Sequence, residues 1–173
     1  MVADAAERLL PVLLVLGLAG GAVLGWRLMR RPRRDAVDET LRDLALAAAV
    51  AIILVATLLT PSVFGDDADV ELVPFVDLVR GIIGRGSLRT AITELVLNVA
   101  LFMPFGVALR WRLPSLGVLA VTGCALALSA GVELLQATMG GRWANSTDVI
   151  TNTIGGALGA MIIGARLARA AQG

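Results

Sequence analysis

The apolar residues of this chain fall in long, nearly uninterrupted blocks, and that pattern limits its fold more than any other feature. About 20 residues of helix cross the hydrocarbon of a bilayer, so an apolar run of roughly 18 or more reads as a membrane span. Such runs occupy residues 9–29, 44–60, 91–109, 113–139 and 149–165. The chain is 57% hydrophobic and only 17% charged, where a soluble domain would be about half apolar and a quarter charged. The pattern predicts an all-α fold: a polytopic transmembrane helical bundle of about five spans, forming a single membrane domain over residues 1–173.

The flanks refine these spans. Asp4, Glu7 and Arg8 are not the basic region of a signal peptide, and RLMRRPRR follows where a small-residue cleavage site would stand, so the first span reads as a retained helix. Pro61 stops the second span because it cannot extend the hydrogen-bond ladder. The third span is less apolar, with Glu94, Asn98 and Pro104 inside it. Pro104 should kink it and free a carbonyl for neighbouring helices to satisfy. Gly140 and Gly141 end the fourth span, and Arg166 and Arg169 close the fifth. Glycines recur every fourth residue at Gly17, Gly21 and Gly25 and again at Gly155 and Gly159, a spacing that lets membrane helices approach closely.

Charge sets the orientation and removes some functions. All 15 basic residues are arginine, and the abundance of Ala, Val, Leu and Gly points to a GC-rich bacterial genome. Short cytoplasmic loops are enriched in arginine. The first connection carries Arg27, Arg30, Arg31, Arg33, Arg34 and Arg42, which makes it cytoplasmic, with the N-terminus out and the C-terminus in. Ten arginines then face the cytoplasm, while Arg8, Arg80, Arg85, Arg89 and Arg142 face out. The expected location is therefore the bacterial cytoplasmic (inner) membrane, with the lipid bilayer as the first partner. A net charge of +1 argues against a nucleic-acid partner. With no histidine and Cys124 alone, neither an intrachain disulfide nor a zinc site of His and Cys can form. No cofactor is expected, and Cys124 reads as a small buried apolar residue.

Once the chain is oriented, three spans bring polar residues to one level near the outer face. Glu94 and Asn98 are four residues apart on the third span, Glu133 and Gln136 three apart on the fourth, and Asp148 and Asn152 four apart on the fifth. Each spacing places the pair on one helix face. Arg142 lies in the turn between the last two spans. An ionised carboxylate at the centre of a bilayer costs about 2.5–3.5 kcal/mol or more, so Glu133, roughly 10 Å below that turn, calls for a partner, a proton or a wet cavity. Arg142 would be a natural, bidentate partner. Two explanations compete: a binding or catalytic site, or polar contacts that fasten the helices at about 0.6–2 kcal/mol each.

Several segments resemble the VanZ-like family of bacterial membrane proteins: ELVPF (71–75), NVALFMPFG (98–106), ELLQ (133–136), Arg142 and DVITNTIGGALG (148–159). The resemblance implies a family core at approximately 41–168. Carried onto this chain, the family's motif positions are Pro74, Phe75, Asn98, Phe102, Pro104, Gly106, Glu133, Gln136, Arg142, Asp148, Asn152 and Gly155. We assign structural roles to Pro74, Phe75, Phe102, Pro104, Gly106, Gly155 and Gly159. The candidate binding set is Glu94, Asn98, Glu133, Gln136, Arg142, Asp148 and Asn152. The family takes its name from a member linked to low-level resistance to the glycopeptide teicoplanin, which implies an envelope role.

Three functions fit these residues. In the first, an outer-leaflet polar cavity binds a lipid-linked precursor, a glycopeptide-like amphiphile or a partner membrane protein, without catalysis. In the second, a membrane enzyme acts on an envelope lipid, with Glu133 as acid or base and Asp148 and Glu94 holding Mg²⁺ through oxygen. The third, a small transporter, is motivated by the buried carboxylate. The stretch LVPFVDLVRGII (72–83) is expected in the interface, as a lid over the cavity.

Overall fold

The structure is a computed structural model and describes residue 18 and residues 21–30, 33–58, 73–139 and 145–170. Residues 21–28 are helical. They are followed by α1 (Arg33–Leu58), the short α2 (Val76–Ile82), α3 (Leu88–Arg112), α4 (Val118–Met139) and α5 (Ser146–Ala170). Four helices among the described residues are long and apolar enough to cross a membrane: Arg34–Thr57, Leu88–Arg112, Val118–Gln136 and Ser146–Leu167. The first expected span, 9–29, falls mostly outside the described residues.

The helices outrun the apolar blocks that announced them. α1 begins eleven residues before Leu44, and α3 and α5 each gain polar turns at both ends. Apolarity marks only the part of a helix that lies in hydrocarbon, whereas the hydrogen-bond ladder runs on until a cap or a proline stops it. At its N-terminus α3 is capped by Ser87, whose side chain accepts from the Thr90 N–H at 3.3 Å. It stays helical across Pro104. The fourth span starts at Val118, because Leu113–Gly117, with Pro114, forms a turn closed by the Leu116 N–H on the Leu113 carbonyl (3.0 Å).

α3 and α5 make the most extensive contact, and they run parallel. Side chains at Gly155 and Gly159 would collide with the carbonyl oxygens of Val99 and Met103, and one at Gly106 with the carbonyl of Gly156. Glycine at these positions is therefore a condition of the close approach. Gly21 and Gly25 differ: a side chain at either would meet nothing within 4 Å, so their spacing serves no packing inside the described chain.

α4 runs antiparallel to α5 and completes a core of Ile53, Phe102, Phe105, Val121, Ala125 and Ala160. Phe102 and Phe105 meet edge to face at 6.4 Å. The outer faces remain apolar, with Leu119 86%, Leu134 67% and Leu97 60% exposed. In water such faces would be patches awaiting a partner; on a multi-pass membrane protein they are the lipid surface. Cys124 belongs to this outer face and is exposed, contrary to the buried position expected of it. A small apolar residue in a span is as much at home against lipid as against a helix.

Candidate functional site

The polar end of the bundle is organised around the start of α5. Asn145 is its N-cap: the side-chain Oδ1 accepts from the Thr147 N–H at 2.9 Å, satisfying one of the open donors of the first turn. The backbone N–H of Asn145 in turn donates to Glu133 Oε2, also at 2.9 Å. The Glu133 carboxylate, in the last two turns of α4, thus sits at the positive end of α5, where a negative charge is favoured. Asp148, in the first turn, accepts from Asn98 Nδ2 at 2.8 Å and ties α5 to α3.

Two further bonds lie deeper. Asn152 Nδ2 donates to Ser129 Oγ at 2.9 Å, and both residues are buried. Gln136 Nε2 donates to the carbonyl of Thr57 at 2.7 Å, which reaches across to the end of α1. Asn152 Oδ1 is buried without a hydrogen-bond partner. Four helices, α1, α3, α4 and α5, are thereby fastened at one end by side chains the sequence had placed at one level.

A small cleft opens beside this network. Its walls include Glu94 and Asp148 from α3 and α5, Asn145 and Thr147 from the α5 start, and Phe75 and Asp77 from the α2 segment. Phe75 takes a left-handed backbone conformation (φ 62°), and its N–H donates to Thr147 Oγ1 at 2.8 Å, which pins the start of α2 against α5. The solvent-sized space inside is about 20 Å³, room for one water or one headgroup atom and far below the roughly 300 Å³ of a drug-sized pocket.

The candidate residues therefore divide. Glu94 and Asp148 line the cleft, whereas Asn98, Glu133, Gln136 and Asn152 stand outside its walls as cross-braces. Arg142, and with it the proposed pairing to Glu133, lies outside the described residues. Sequence reasoning passed over Asn145, Thr147, Ser129, Thr57 and Asp77. Of these only Asn145 carries a local signal, an Asn directly before a Ser-Thr-Asp helix start. Among the described residues no group of three or more His, Cys, Asp or Glu side chains is placed to hold a metal ion.

All the described cleft walls except Phe75, Asp77 and Leu78 come from α3 and the start of α5. These two helices lie wholly or almost wholly within residues 44–167, the stretch matched by the VanZ/LLP1 family model. The chain belongs to the VanZ/LLP1 family. Protein VanZ of Enterococcus faecium is similar to this VanZ-like chain, 38% identical over 71 residues, which is 41% of this chain and 44% of that protein. The similarity thus spans less than half the length of that relative. No solved structure matches the chain.

Proposed function

We propose that this VanZ-like protein is a non-enzymatic binding protein of the bacterial inner membrane, N-terminus out and C-terminus in. Its outer-face cleft would take a polar group of a lipid-linked envelope precursor or a glycopeptide-like amphiphile, and so affect glycopeptide resistance. The observation that carries this reading is the convergence of Glu94, Asp148 and Asp77 on one cleft beside an apolar shelf. Ionised carboxylates only accept hydrogen bonds, so the walls select N–H or O–H donors such as those of peptide and sugar groups. The cleft admits only the tip of such a ligand. Its apolar part would lie along Val79, Ile82 and Ile83 of the α2 segment and Ile92 of α3, all exposed. On this reading the α2 segment, whose Phe75, Asp77 and Leu78 wall the cleft, would be the lid over the cavity.

Glu133 is buried, accepts from Asn145 and does not line the cleft, so no observation favours it as an acid or base over the binding reading. Titration of the purified protein in nanodiscs with teicoplanin, and separately with a lipid-linked peptidoglycan precursor, tests the proposal. Saturable binding that weakens about tenfold or more in Glu94→Gln supports it, since a bond to a charged group contributes about 1.5–3 kcal/mol. Binding by neither probe, or binding unchanged in the variant, refutes it. For the orientation, Arg85→Cys in a Cys124→Ala background should react with an impermeant thiol reagent on intact cells, and Asp35→Cys should not.

A further inference from the structure

The opposite end of the bundle carries an arginine that has no ion-pair or hydrogen-bond partner among the described residues. Acids at that end are Asp35, Asp38, Glu39 and Asp43, all on α1, against ten arginines in the same segments of sequence. Three of those acids are engaged: Asp43 holds both Arg112 and Arg27, Glu39 lies 3.6 Å from Arg27, and Asp38 holds Arg42. Arg110 has none of them. It is half-buried on the α3–α5 seam, and its Nε and Nη1 atoms are buried with no hydrogen-bond partner. The guanidinium lies on Gly164, where a Cβ would fall 2.8 Å from Cζ and 2.9 Å from Nη2.

A guanidinium with two of its three nitrogens shielded from water and without a partner among the described residues is costly, so this position calls for an anion. Its depth says which. The next residue, Trp111, has the Arg42 guanidinium 5.5 Å from its ring, and Trp26 carries Arg30 in the same way at 4.8 Å. Tryptophan and arginine together mark the level where hydrocarbon meets headgroups. Basic pockets between membrane helices at this level suit lipid headgroups.

We infer that Arg110, seated on Gly164 between α3 and α5, binds a phosphate oxyanion, supplied by an anionic phospholipid headgroup on the arginine-rich face of the membrane. Two N–H groups of a planar guanidinium match two phosphate oxygens, and the charge excess at this end selects an anionic lipid over a zwitterionic one.

Native mass spectrometry of the delipidated full chain tests this, with dioleoylphosphatidylglycerol, dioleoylphosphatidylcholine and inorganic phosphate titrated separately. The expected result is one phosphatidylglycerol bound in preference to phosphatidylcholine, weakened about tenfold in Arg110→Gln and unchanged in the exposed Arg34→Gln. Saturation by inorganic phosphate at similar concentrations would assign the seat to free phosphate instead of lipid. Should Arg110→Gln not fold, Gly164→Ala, whose methyl group crowds the guanidinium, is expected to lose the same preference. Equal binding of both lipids by the wild type, or phosphatidylglycerol binding undiminished in these variants, overturns the inference.

Discussion

The two ends of this bundle are held by different chemistry. At the polar end, carboxamides and carboxylates bond to backbone groups and to each other across α1, α3, α4 and α5: Asn98 to Asp148, Glu133 to Asn145, Gln136 to Thr57, Asn152 to Ser129. At the other end, full charges meet, with Asp43 gripped by Arg27 and Arg112. The difference follows depth. Glu133, Gln136, Asn152 and Ser129 are buried, where a bond that satisfies a specific donor is worth keeping. The arginine end is half-exposed near the membrane surface, where water and headgroups share the cost of charge. One end is built for fit and the other for placement in the membrane.

The strut joining the two ends should be the most sensitive part. Gly159→Val drives a side chain into the Met103 carbonyl, and neither backbone can yield without separating α3 from α5. We expect a loss above about 3 kcal/mol, read as lost membrane abundance and a lowered melting temperature in detergent. Gly25→Val, which meets nothing, should leave both unchanged.

Next in size is Asp43→Ala, which takes the acid from Arg112 and leaves Arg27 (side chain 11% exposed) with only the more distant Glu39. A cost of about 2 kcal/mol is expected, below that of a fully buried pair because Asp43 is itself 36% exposed. High salt should shrink the difference between Asp43→Ala and wild type in melting experiments. It should not shrink the effect of any polar-end variant.

Glu133→Ala leaves the Asn145 N–H without its acceptor and should cost about 1–2 kcal/mol. Glu133→Gln keeps an acceptor oxygen and should cost less than half of that. If the two variants are equally damaged, the charge at the α5 start matters more than the hydrogen bond. The smallest effect expected is the coupling between Asn98→Ala and Asp148→Ala, about 0.6 kcal/mol in a double-mutant cycle, as is usual for polar pairs between membrane helices.

Much of this architecture was legible in the sequence, for a physical reason. Lipid imposes one rule on every span, so apolar blocks reveal α1, α3, α4 and α5 wherever they occur in the chain. The polar level was legible too, because Glu94, Asn98, Glu133, Gln136, Asp148 and Asn152 are anomalies against that background. Their partners were not. Ser129 and Thr57 look like ordinary residues of a span and gain a role only when α4 meets α5 and α1. The pairing of Arg112 with Asp43 joins positions 69 residues apart. Helix ends were blurred because polar turns such as Arg33–Asp43 carry no apolar signal. The split between cleft-lining and bracing residues needed the packing of α3 on α5, which depends on Gly106, Gly155 and Gly159 acting together.

On the proposed function, the cleft residues carry the binding while the buried network carries the fold. A deletion strain complemented with Glu94→Gln tests it most directly, scored for membrane abundance together with teicoplanin and envelope-stress sensitivity. The expected result is wild-type abundance with the complementing phenotype lost. Wild-type abundance with the phenotype fully retained would contradict it.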